Sequence, residues 1–341
     1  MAELQLNQSN WTTTFMSSIW LSPAKGCDVA FNGFITPTMC VFGFVTSLFT
    51  LFGLRGVPEK DSSTIWLLKT LALLDSIYIL LFFVFSSAIT IARFNWIFGM
   101  TMYKNYGLLI VQPLVIFAHN LITWNVALVT VDRYLAVCKP MNIKWRELRR
   151  VKRAVKWLVI TAAVLNAPCI CKMAHDRYRR DRCIDVENTD STNCLTIKYV
   201  SDSLQIFNVV LYSILASVVP LIILIILNVR IALVLRALTK KRRQMSRQTN
   251  SERSLTKALV AVVVVFDVCQ LPEPIVHFIH FARLDVDLKA TYCAVGIAYT
   301  LIALNSSLNF IIYYLCSRRF KRIFSGMLPC HTRQRTVVLV V

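Results

Sequence analysis

Glu273 stands one residue beyond Pro272, on a stretch that also carries Gln270, His277 and His280. Spacings of three and four set these residues on one face of a helix. The stretch around them is apolar, and a buried carboxylate needs a partner. One partner is His277, a turn further along the same helix. The other is a cationic group brought by a ligand. An arginine would suit, because its planar, always-charged group grips a carboxylate through two hydrogen bonds. Asp75 and Asp267 also interrupt apolar runs, and Asp267 has no assignable partner. At the end of another run, Asp132-Arg133-Tyr134 sets an acid beside a cation that can exchange partners between two states. There is no phosphate loop and no nucleophile beside a base, so the chain reads as a non-enzyme.

The elements that must position these residues are membrane helices. Of 341 residues, 56% are hydrophobic and only 16% charged, against about 25% charged in a soluble domain. Apolar runs near or above the roughly 20 residues that cross a bilayer recur along the chain. We place seven spans, at 32–54, 64–92, 106–138, 152–173, 203–238, 254–283 and 289–316, of which the third and sixth are the least clean. Segments such as Ser217–Leu227 do not alternate apolar and polar, which excludes barrel strands. The expected fold is all-α: a seven-transmembrane helical bundle (32–316) between an outer tail (1–31) and a cytoplasmic segment (317–341).

The formal net charge of +20 would fit a nucleic-acid binder, but its placement excludes that class. Of the 38 Lys and Arg, 26 collect on the side formed by 55–63, 139–153, 239–253 and the segment after 317, with the flanking helix ends. Such bias marks the cytoplasmic side and puts the N-terminus outside. There Asn7 and Asn10 each begin a glycosylation sequon. The N-terminus lacks the basic-then-apolar pattern of a signal peptide. Lys240-Lys241-Arg242-Arg243 is a topology-setting run that could also dock an acidic partner. Phe320, Ile323 and Phe324 share one face of a short eighth helix with basic residues opposite, suited to a membrane surface. Cys330, just beyond, is a palmitoylation site or a free thiol. No internal repeat supports a transporter or channel.

Seven spans, this orientation and the position of Asp132-Arg133-Tyr134 together resemble the rhodopsin-like (class A) G-protein-coupled receptors over residues 32–325. Trp157, Pro220 and Phe266-x-x-Cys269-x-x-Pro272 match landmarks of that family. The resemblance implies coupling and switch roles for Asp132, Arg133, Tyr134, Phe266, Pro272, Asn309 and Tyr313. It implies a resting pair between Arg133 and Glu252, unless Glu252 is merely solvated. It also implies a sodium ion at Asp75, with Asn305, Ser306 and Asn309 facing it. The serine common in the third helix is Ile122 here, so that site is incomplete, and a protonated Asp75 is the alternative.

Other departures are Gln270 for the usual tryptophan, Ser47, Asn228 and Asn309-Phe310-Ile311-Ile312-Tyr313. Cys269-Gln270-Leu271-Pro272, Asn228 and Asn305–Tyr313, with Pro113, look like one branch, the receptors of FMRFamide-type invertebrate neuropeptides. The family's bridge from the third helix cannot form, since Leu108 takes its place. Four of the 11 cysteines face outside: Cys27, Cys183, Cys194 and Cys293. They allow three pairings, and local closure favours Cys183–Cys194 with Cys27–Cys293. Val115 replaces the aspartate of amine receptors, and Ala303 the lysine of opsins. Gln112, Val115 and His119 would face Gln270, Glu273 and His277, with Tyr299 joining from the seventh helix. The expectation is a plasma-membrane receptor that turns peptide binding into G-protein activation by swinging the inner sixth helix outward. Arrestin and membrane lipid are the further partners. The alternative is a seven-helix chemoreceptor for a lipid or other small molecule.

Overall fold

The structure is a computed structural model, described for residues 29–55, 63–94, 110–139, 147–183, 215, 218–241, 260–281, 288–316 and 321. Among these residues there is no strand. A π-helical stretch, Val29–Ile35, enters α1 (Thr36–Arg55). There follow α2 (Ser63–Phe94), α3 (Gln112–Cys138), α4 (Leu148–Cys183), α5 (Val219–Lys241), α6 (Pro272–Phe281) and α7 (Leu288–Cys316). Residues 260–270 are helical and lead into α6 through a turn at Leu271. Asn7, Asn10, Cys27, Cys194, Glu252 and Cys330 lie outside the described residues, as do the side chains of Cys183 and His277.

Among the described residues, five helices are long and apolar enough to cross a membrane: Gly33–Leu54, Ser63–Ser86, Gln112–Cys138, Val219–Ala237 and Cys293–Leu315. The third span, expected to be among the least clean, is therefore one of the clear ones. Its polar residues are mostly buried, including His119, Asn120, Asn125 and Asp132. The fourth and sixth segments are helical without passing that test. Basic residues load both ends of α4. The sixth is cut at Leu271, because Pro272 has no N–H for the carbonyl one turn before it.

The burial pattern is that of helices packed in lipid. On α5, Leu224, Asn228 and Ile231 are buried, whereas Ile222, Ile225, Ile226, Val229 and Leu233 are exposed. The exposed set recurs at spacings of three and four, an apolar stripe on the outward side of the helix. Val41, Phe42, Val45, Phe49 and Phe52 are likewise exposed on α1, and Phe49 also meets the ring of Phe310 at 5.8 Å. Trp157 of α4 is also exposed. α1 packs on α2 and α7, α2 on α3, α3 on α4 and α5, and α6 on α7. One core joins Ile79, Phe82, Ile122, Leu224, Phe266 and Ile302. A second joins Leu54, Leu67, Val129, Val262 and Tyr313.

Candidate functional site

Pro113 sits in the first turn of α3, where its missing N–H costs no helical hydrogen bond. Asn166 Nδ2 of α4 donates to the Pro113 carbonyl at 3.0 Å and fixes the start of α3. Two turns further, His119 points across the bundle. Its Nε2 lies 3.3 Å from Oε2 of Glu273, and both side chains are almost wholly buried. Glu273 belongs to the first turn of α6, where the helix dipole favours negative charge. Tyr78 of α2 sets its ring 5.6 Å from that of His119 and stacks on Phe82. Phe82 in turn meets Tyr299 of α7, centroids 5.6 Å apart. Val115 and Gln270 are buried with them, and Gln112 is half-buried at the head of α3.

Among the described residues, His119 is thus a partner of Glu273. The sequence put His119 on the facing helix but offered only His277 or a ligand cation as the carboxylate's partner. Periodicity assigns residues to a face of one helix. It does not fix the depth at which two helices meet.

At the other end of α3, Asp132 is held from three directions. Ser63 Oγ donates to Oδ1 at 2.7 Å, Thr64 Oγ1 donates to Oδ2, and Arg133 Nη2 donates to Oδ2 at 2.9 Å. Asp132 and Arg133 are both buried, with Tyr134 half-buried beside them. Ser63 and Thr64, which hold this acid, are residues that the sequence reading did not name. A usable signal existed. Span two begins, and span three ends, at the same membrane face, so hydroxyls opening α2 lie level with an acid closing α3.

Between these sites runs a buried polar column. Asn309 Nδ2 donates to Asp75 Oδ2 at 2.8 Å. Ser47, Thr50, Asp75, Asn309 and Tyr313 line gaps too narrow to admit a water. Asp75 Oδ1, Asn305 Oδ1 and Ser47 Oγ are buried without a hydrogen-bond partner, and Ser306 is buried next to Asn305. These oxygens are of the hard type that suits a small cation. Ile122, buried in the apolar core, supplies no oxygen. Phe266 is buried in the same core, just ahead of the turn at Leu271. Asp267 lies close to Asn228 of α5, which gives it the neighbour the sequence could not name.

Cys293, near the outer end of α7, is disulfide-bonded. Cys40, Cys138, Cys171 and Cys269 are free thiols, so the partner lies elsewhere in the chain. Beyond α7, Lys321 is helical and sets its ammonium 5.4 Å from the centre of the Tyr314 ring.

A family model described as 7 transmembrane receptor (rhodopsin family) matches residues 48–313. The chain is 28% identical over 292 residues to the B2 bradykinin receptor of Cavia porcellus, covering 76% of this chain and 74% of that one. It is 26% identical over 312 residues to the FMRFamide receptor of Drosophila melanogaster, 87% of this chain but 53% of that longer protein. It is 23% identical over 329 residues to the Allatostatin-A receptor of Bombyx mori, covering 94% and 85%.

Proposed function

The chain belongs to the rhodopsin family of seven-transmembrane receptors, and from that premise we propose that it is a plasma-membrane receptor for a peptide, with its N-terminus outside. Its output is activation of a heterotrimeric G protein, followed by arrestin binding. The three relatives are named for bradykinin, FMRFamide and allatostatin-A, which supports a peptide ligand and leaves its identity open. The observation that carries the reading is the buried carboxylate of Glu273, 3.3 Å from His119, whose ring lies against Tyr78 and through it Phe82 and Tyr299. A buried acid at a helix start, walled by aromatic rings, suits an arginine side chain. The name FMRFamide itself spells an arginine next to its amidated end.

Ligand binding between the outer helix ends favours the state with the inner sixth segment swung outward, by the difference in affinity for the two states. The break at Leu271–Pro272 supplies the pivot. At the inner end, Asp132 holds Arg133 in the closed state, with Glu252 as a second acid for it. Swinging the sixth segment away frees Arg133 to face the G protein. A sodium ion at Asp75, with Asn305 and Asn309, would stabilise the closed state by neutralising that carboxylate.

The test begins with a second-messenger screen of the full chain against amidated peptides, half of them carrying arginine. Glu273→Gln keeps the shape and removes the charge. It should weaken an arginine peptide by roughly 2–5 kcal/mol, the range for truncating one partner of a buried charge pair. An analogue with citrulline for arginine should lose far less. Equal loss for both peptides, or no loss for either, would show Glu273 to be structural. Activation by lipids alone would favour the small-molecule chemoreceptor.

A further inference from the structure

We propose that His119 and Glu273 form a clamp between α3 and α6 that a cationic ligand group opens by taking the place of His119. The ligand half of this inference rests on the peptide reading above; the clamp half stands on the structure alone. His119 Nε2 lies 3.3 Å from Glu273 Oε2, and neither side chain has appreciable access to solvent. A guanidinium that grips a carboxylate through two parallel hydrogen bonds uses both of its oxygens. Each carboxylate oxygen can accept two hydrogen bonds, so the competition is for room at a carboxylate that is almost wholly buried. The guanidinium takes the place of the His119 ring there, and the ligand binds best to the arrangement in which the clamp is open.

The position of the clamp gives that competition leverage. Glu273 is in the first turn of α6, two residues past the break at Leu271. α6 packs on α7, and through Glu273 it is tied to α3 as well. The stretch 260–270, on the other side of the break, carries Phe266 and Val263 into the core with α3 residues Ile122 and Val126. Closed, the clamp holds the outer segment while the inner one stays packed. Open, it lets α6 turn about the break and releases that packing. His119 is positioned for the role by Tyr78, whose ring lies against it. His119 is on this reading a specificity-determining residue. It sets how strong a cation must be to displace it, and a neutral ligand gains nothing from Glu273.

Nucleotide exchange on co-expressed G proteins, measured without ligand in membranes holding the full chain, tests the clamp. His119→Phe keeps the ring against Tyr78 and removes the donor. His119→Phe and Glu273→Gln should each raise basal exchange by roughly fivefold or more, the lower end of a typical coupling between sites. The double variant should go no further than either single one. The exchanged pair, His119→Glu with Glu273→His, should return basal exchange to the wild-type level, which a merely structural residue would not do. His119→Phe should also make the arginine peptide several-fold more potent by removing its competitor. Unchanged basal exchange in His119→Phe at normal surface levels overturns the clamp, as does an exchanged pair that stays as active as the single variants. Should His119→Phe fail to reach the surface, the exchanged pair alone decides. A failed clamp with citrulline discrimination intact sinks the clamp and leaves the peptide reading. A working clamp in a receptor indifferent to citrulline does the reverse.

Discussion

Asp132 is more heavily held than a lone acid beside an arginine would be, and the difference lies in Ser63 and Thr64. Two hydroxyls and a guanidinium saturate most of its acceptor capacity. Hydrogen bonds to a charged group are worth about 1.5–3 kcal/mol each. Removing one leaves a buried oxygen short of a donor and loosens the grip on Arg133. Thr64→Val keeps the shape of the side chain. It should raise ligand-free nucleotide exchange, with Ser63→Ala acting in the same direction. If both variants reach the surface with wild-type basal exchange, the hydroxyls only pad the interface. On the mechanism proposed above, Arg133→Ala removes the group that faces the G protein. It should abolish agonist-driven exchange while cell-surface receptor counts persist. The acid–arginine pair was legible in the sequence because adjacency needs no fold. Its hydroxyl donors are more than sixty residues away in sequence; the shared membrane face of spans two and three sets them level with the acid, and the packing of α2 on α3 brings them into contact with it. The pairing of His119 with Glu273 was hidden, since it depends on the depth at which two helices meet.

Helices α1, α2 and α7 meet closely at Gly43. A β-carbon there would lie 3.2 Å from Ser307 Oγ, 3.3 Å from Ile79 Cδ1 and 3.4 Å from the Ala303 carbonyl oxygen. Small residues let membrane helices approach this way, so this glycine is kept by its neighbours and not by its backbone. Gly43→Val adds two further methyl groups to a space already tight for one. Overpacking of this kind costs typically 1–3 kcal/mol. The purified receptor in detergent should melt at a lower temperature, and a Gly43→Val variant as stable as wild type would mean that α1 slides easily. The existence of the helices was legible because long apolar runs leave few alternatives in lipid. The relative quality of the third and sixth spans was not. Polar residues in span three are buried against neighbours, whereas Pro272 cuts span six. Composition alone treats these two interruptions alike, and only packing separates them.

For the molecule as a whole, the membrane supplies little drive for helices to associate, since lipid tails are as apolar as leucine. Cross-links at the outer ends then matter more. Cys293 carries one, and the free thiols Cys40, Cys138, Cys171 and Cys269 are excluded as its partner. If that partner is Cys27, the bridge closes a loop containing nearly all of the bundle and ties the outer tail to the start of α7. In the chain-entropy account a loop of 100 residues contributes about 4.7 kcal/mol, and length adds only slowly beyond that. Cys27→Ser and Cys293→Ser should therefore lower thermal stability by the same amount, and the double variant by no more than either. Cys183→Ser and Cys194→Ser should behave as a second, independent pair, whose effect adds to the first. Additivity follows because two bridges without a shared partner are uncoupled. Such a bridge would anchor the tail at the outer end of α7, the helix that carries Tyr299, so the Cys27 and Cys293 variants should lose peptide potency together. Mass mapping of the unreduced receptor that joins Cys293 to Cys183 or Cys194 would overturn this arrangement and would make the second outer loop, in place of the tail, the strap across the pocket.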